Sequence, residues 1–170
     1  MKNLQKFETF FYQLWKTIQL NIHGILLTFK NYFICLKYPF LKIESDVYPW
    51  VISYGTIWLD DLPIGWQKAF VWDLCKEIKE YNKKHNIKDY HISQVKEKYG
   101  GLRWYDNGDS KFYNTVLEKY EELSYRTCCQ CGKEATNYST GWILPYCNDC
   151  KNEILKREPN RIFNQMKKNS

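Results

Sequence analysis

Two pairs of cysteines restrict this chain more than any other feature. Cys128 and Cys131 flank two residues, Cys147 and Cys150 flank two more, and fifteen residues separate the pairs. That spacing belongs to four-thiolate zinc sites. Two thiolates on one tight turn each reach a metal at about 2.3 Å, and two facing turns complete a tetrahedron. Gly132, directly after Cys131, supplies the backbone freedom such a turn needs. The interval Lys133–Tyr146 reads as a hairpin bending at Ser139-Thr140-Gly141. The expectation is a zinc ribbon holding Zn2+ on Cys128, Cys131, Cys147 and Cys150. Four thiolates leave no position for a bound water, so the metal is expected to be structural and to supply folding energy. Cys129 is expected to point away from it, and Cys35 and Cys75 to be ordinary buried hydrophobes.

Five of the seven cysteines fall within 128–150, whereas a secreted disulfide scaffold spreads them along the chain. Lys2 and Lys6 are followed by aromatics and Gln, without a small-residue cleavage site. The uncharged run Thr17–Phe29 is too short and too polar to span a bilayer. These points predict a reducing cytoplasm. The chain has 170 residues, 44% hydrophobic and 18% aromatic, enough for a compact core, which excludes a wholly disordered chain. The mean hydropathy of −0.60 excludes a polytopic membrane protein. The net charge of +6 is uneven. Residues 1–45 hold six Lys against two Glu, 46–127 hold twelve bases against thirteen acids, and 128–170 hold seven bases against four acids. Basic ends suit nucleic acid, an acidic protein face or a membrane surface; the competing account is solvated arms.

Apolar side chains at Leu4, Phe7, Phe11, Leu14, Ile18, Ile22, Ile25 and Phe29 recur at three and four, predicting a helix. Such an arm packs on the body or on a second copy of the chain, or lies on a membrane; packing is the favoured reading. Pro39 ends the helix. Val47–Leu59 reads as extended. Asp60-Asp61 followed by Pro63 reads as a helix start, and Trp66, Phe70, Leu74, Ile78 and Tyr81 predict a helix over about 64–84. Tyr90–Lys98 and Leu102–Tyr105 read as strands joined at Gly100-Gly101, and a further helix is expected over about 110–126. The fold class is therefore α+β: helices on a small antiparallel sheet, a C-terminal zinc ribbon and an N-terminal amphipathic helical arm. The boundaries are 1–36 for the arm, 37–127 for the body, 128–150 for the ribbon and 151–170 for a basic tail. The tail is expected to form a short helix before Pro159 and then to fray.

Residues 96–105 interleave cations with aromatics on the predicted hairpin. Lys96, Lys98, Arg103, Trp104 and Tyr105 are candidates for binding nucleic acid or a partner, since cations suit phosphates and aromatic rings stack bases. Strand alternation gives the competing reading, with Leu102 and Trp104 in the core and Arg103 and Tyr105 outside. Asp60, Asp61, His85 and His91 form no catalytic pattern, and no phosphate-binding glycine loop occurs. No catalytic residues are assigned, and the chain is expected not to be an enzyme.

The blocks KYPFLK (37–42), LDDLPIGWQKAF (59–70), KEKYGGLRWYDNG (96–108), KYEELS (119–124), TCCQCGKEAT (127–136) and GWILPYCNDC (141–150) resemble, in that order, a family of uncharacterised phage and prophage zinc-ribbon proteins. The resemblance covers roughly residues 37–150. It implies a ribbon on the same four cysteines and a setting on mobile genetic elements, and it brings no catalytic residues. The doubled Cys128-Cys129 and the helical arm depart from the family pattern. The functional expectation is a non-enzymatic, phage-borne accessory protein in the host cytoplasm. It binds and modulates a host protein or ribonucleoprotein, as an anti-CRISPR-type inhibitor does. The alternative is a zinc-ribbon protein that binds RNA or DNA directly, for regulation or packaging.

Overall fold

The computed structural model describes residues 24–44 and 52–166. Most of the predicted arm, residues 1–23, lies outside them, as do residues 47–51 of the predicted extended segment. The chain divides into two units, Met1–Ile57 and Trp58–Ser170.

In the first unit, helix α1 runs over 24–37. Pro39 stops it, and a 3-10 turn, Pro39–Leu41, leads into β1, Lys42–Glu44. β1 pairs antiparallel with β2, Ile52–Ile57, with Lys42 opposite Ile57 and a register shift before Ile43. α1 buries Asn31 and Cys35, whereas Ile25, Leu26, Phe29, Phe33 and Leu36 stand 56–65% exposed. No described helix is long and apolar enough to cross a membrane.

The second unit is the larger. Helix α2 covers 64–84 as Ile64–Trp66, a widened π turn Gln67–Val71, and Trp72–Lys84. The sequence explains the widening. Trp66, Phe70, Leu74 and Ile78 recur strictly every four residues, which drifts about 40° per step on a regular α-helix. A turn of more than four residues cancels that drift and keeps the stripe on one face. All four side chains are at most 3% exposed. Helix α3, 110–125, has the same construction around Tyr113–Leu117, and Asp109 caps it by accepting from the Phe112 N–H at 2.8 Å. The two helices run antiparallel. Phe70 stacks beside Tyr120, Glu77 accepts from Lys119 and Tyr120, and Tyr81 meets Phe112 edge-on.

Strands β3, Ile92–Lys98, and β4, Gly101–Asp106, form a hairpin. Lys98 pairs with Gly101, so the two-residue loop is Tyr99-Gly100, one residue earlier than expected. Both have positive φ, 53° and 80°, the geometry that matches strand twist. Leu102 and Trp104 face the core, and the Leu102 N–H donates to the buried Ser124 hydroxyl of α3. The C-terminal part is a three-stranded antiparallel sheet, β6-β5-β7, made of β5 Asn137–Ser139, β6 Pro145–Tyr146 and β7 Phe163–Gln165. Helix α4, Asn148–Arg157, precedes β7. Up to residue 166 the tail therefore does not fray after Pro159. Phe163, Asn164 and Gln165 pair with β5, and the Phe163 ring meets Tyr146 edge-on at 5.5 Å, so the ribbon extends to about residue 166. Among the described residues the architecture is α+β, four helices with small antiparallel sheets and a cysteine cluster that fits a zinc ribbon.

Candidate metal centre and cationic face

The first cysteine turn closes when the Gly132 N–H donates to the Cys128 carbonyl at 3.0 Å and the Cys128 N–H donates to the Lys133 carbonyl at 2.8 Å. Gly132 takes φ +82°, which L side chains rarely adopt. The second turn is the start of α4. Cys147 caps that helix, and its sulfur accepts from the Cys150 N–H at 3.5 Å. The helix N-terminus turns its unpaired N–H groups and positive dipole toward the sulfurs, which favours thiolates.

The Sγ atoms of Cys128, Cys131, Cys147 and Cys150 all lie within 4.8 Å of one another, and those of Cys131 and Cys147 are 3.6 Å apart. A zinc–sulfur distance of about 2.3 Å sets tetrahedron edges of roughly 3.8 Å, so this donor set fits a zinc ion. Burial raises the Cys128 thiol, but N–H groups of Cys147, Cys131 and Gln130 outweigh it and hold the group at about 7. Burial first, then neighbouring thiols, push Cys150 up, and Cys131 is also raised, chiefly by burial. Four sulfurs without a cation resist collective ionisation; a divalent cation removes that resistance. Cys129 lies outside the quartet. It is buried beside Tyr146, and burial pushes its thiol up to about 12. Cys35 and Cys75 are buried too, as expected.

The metal turn is joined to the body by the start of α2. Asp60 and Asp61 are not its cap; Pro63 occupies the cap position and no side chain caps the helix. Instead the Gly65 N–H donates to the Cys129 carbonyl at 2.9 Å, so the cysteine turn satisfies an otherwise orphaned helix donor. The Trp66 indole N–H donates to the Thr127 carbonyl at 3.0 Å. A methyl group on Gly65 collides with the Cys128 carbonyl, and one on Gly132 comes within 2.7 Å of the Gly65 carbonyl. Backbone lies against backbone at this seam.

The hairpin candidates separate by strand alternation. Lys96 is directly opposite Arg103, and with Lys98 and Tyr105 they occupy the outer face. Lys96 Nζ lies 5.5 Å from the Tyr105 ring centre and 2.6 Å from Gln94 Oε1. Arg103 donates to the Leu102 carbonyl and to the Tyr125 hydroxyl, a bond that raises its pKa. Trp104 leaves the binding set. It is 4% exposed, and its indole N–H donates to the Tyr90 hydroxyl at 2.9 Å, so it is core. Tyr90 in turn donates to Asp106 at 2.7 Å; burial, then that carboxylate, push its pKa up.

Two residues escaped the sequence reading. Tyr99 was hidden by placing the hairpin loop one residue late, and Trp142 by reading its segment only as a bend. They stand 69% and 71% exposed. Their signal was an aromatic in each of two glycine turns, Tyr99-Gly100 and Gly141-Trp142. A cleft of about 370 Å³ opens between α2, α3 and the approach to β3, lined by Tyr81, His85, Tyr90, Asn107, Asp109 and Phe112, among others. Asp60, Asp61 and His91 are not among its walls. Comparison with models of known families, with curated proteins and with solved structures returned no match.

Proposed function

We propose that this chain is a non-enzymatic binding protein, held in shape by a structural zinc ion, that engages the nucleic acid of a ribonucleoprotein. The observation that carries the reading is the Lys96–Arg103 cross-strand pair. Like charges directly opposite on a sheet destabilise it. Here a third cation, Lys98, extends the same face, while Glu97 points to the other side, bonded to the Gly100 N–H and the Trp142 indole. Glu121, beside Arg103, is engaged by the Tyr113 hydroxyl at 2.9 Å. A polyanion relieves the repulsion on binding. The four-thiolate site supports the non-catalytic part of the reading, because a filled tetrahedron activates no water. The mobile-element setting implied by the motif resemblance makes a host ribonucleoprotein effector the partner, and its inhibition the outcome.

The test is binding of the zinc-loaded full chain to RNA and DNA across a salt series. Three phosphate contacts on a single strand give a log–log slope of about −2. Replacing Lys96, Lys98 and Arg103 together by Gln brings the slope toward zero. A complex with a flat salt response, or no complex at all, refutes the reading. Nuclease treatment of a host lysate before affinity purification separates a nucleic-acid-dependent partner from a protein-only one.

A further inference from the structure

Helix α1 carries an apolar face that stands exposed. Ile25, Leu26, Phe29, Tyr32, Phe33 and Leu36 make it up. At about 100° per residue these six fall within one sector of roughly 120°. Asn31 and Cys35, both buried, lie on the other side of the helix. Lys30 and Lys37, both exposed, stand along one border of the apolar sector. From 24 to 43 the sequence holds Lys30, Lys37 and Lys42 and no acid. A contiguous exposed apolar patch marks a contact with protein or membrane. The charges choose between them. Leu26, Phe29, Phe33 and Leu36 are spaced three, four and three, as in the seam of a helix pair. In that register Lys30 and Lys37 take one flank of the seam, and Ile25 and Tyr32 the other. Two copies of α1 then set lysine against lysine when antiparallel, and lysine against Ile or Tyr when parallel. No acid between 24 and 43 relieves either arrangement. A bilayer surface with anionic headgroups accepts both features, because apolar side chains enter the acyl boundary and lysines at their edge meet the headgroups.

We infer that α1 lies in the plane of an anionic membrane surface, with Leu26, Phe29, Phe33 and Leu36 immersed and Lys30 and Lys37 at the level of the headgroups. The contact is peripheral, since no described helix is long and apolar enough to cross a membrane. The inference is independent of the nucleic-acid reading, because none of its residues belongs to the β3–β4 hairpin.

The test is co-sedimentation of the zinc-loaded full chain with vesicles of phosphatidylcholine alone, and of phosphatidylcholine with about 30% phosphatidylglycerol, at low and high salt. Binding to the anionic vesicles, weakened by salt, is the expected result. Phe29→Ser combined with Phe33→Ser is expected to lower the partition coefficient about tenfold or more. Lys30→Gln combined with Lys37→Gln is expected to lower it about tenfold at low salt. All four positions are exposed, and an unchanged far-UV circular dichroism spectrum in the absence of vesicles shows that the variants fold. Replacing Lys96, Lys98 and Arg103 by Gln is expected to leave vesicle binding intact. Absence of binding to either vesicle, equal binding to both, or binding that survives the Phe pair and is lost with the hairpin cations overturns the inference. A concentration-dependent dimer in sedimentation equilibrium, abolished by the Phe pair and without vesicle binding, makes the face a contact between copies and also overturns it. Oligonucleotide binding, measured on the same Phe pair and expected to be unchanged, reports on the nucleic-acid function separately.

Discussion

At the scale of single residues, the seam between helix and metal turn is decided by what is missing. Gly65 has no Cβ because the Cys128 carbonyl occupies that space. Gly65→Ala is expected to destabilise the protein by about 1–3 kcal/mol, read as a lower urea midpoint, since the obstacle is backbone and does not yield as a side chain does. Nothing in the local pattern of Pro63-Ile64-Gly65-Trp66 announced this; a glycine in the first turn of a helix reads as a minor loss of propensity. The ligands were different. Their spacing alone selected Cys128 over Cys129, and the sulfur geometry agrees with the choice. Cys131→Ser is expected to reduce bound zinc from one ion per chain to a small fraction at micromolar metal, measured by elemental analysis. Cys129→Ala is expected to keep the full ion, at a modest cost in stability from the lost packing against Tyr146.

At the scale of elements, periodicity made α2, α3 and the β3–β4 hairpin legible. Apolar spacing reports which face is buried, whatever covers it. It also carried a signal for the π turns, because a stripe at strict fours does not fit a regular helix. Short pairings were less legible. β7 has three residues, and its strand state depends on β5, which it meets only after α4 has reversed the chain. Propensity reads such a segment as a fraying tail. The helix cap was missed for a related reason, since its acceptor, the Cys129 carbonyl, is remote in sequence. One consequence is measurable by hydrogen exchange. Chelating zinc is expected to expose the amides of β5, β6 and β7 and also that of Gly65, whose acceptor sits on the metal turn. The Leu102 amide, held by Ser124, is expected to stay protected. Protection of Gly65 that is unchanged by chelation refutes the coupling.

At the scale of the molecule, the cysteine cluster and helices α2 and α3 belong to one unit, Trp58–Ser170. Gly65 and Trp66 tie α2 to the cysteine turn, and Glu97 ties the hairpin to the ribbon bend. Blocks widely separated in the sequence, 59–70, 96–108, 127–136 and 141–150, meet at these two junctions. The zinc-loaded unit is therefore expected to unfold as a single transition in calorimetry, and chelation to lower its melting temperature as a whole; a separate ribbon transition refutes this. By itself the sequence determined the cysteine quartet, the α+β class and the buried stripes of α2 and α3. Those depend on local spacing and on the periods of helix and strand. The tertiary structure alone decided which backbone carbonyl caps α2, that residues 163–165 are a strand, that Trp104 is core, and that Trp142 is bonded to Glu97. Each of these is a contact between segments far apart along the chain, fixed by steric fit and by partners that local patterns do not encode.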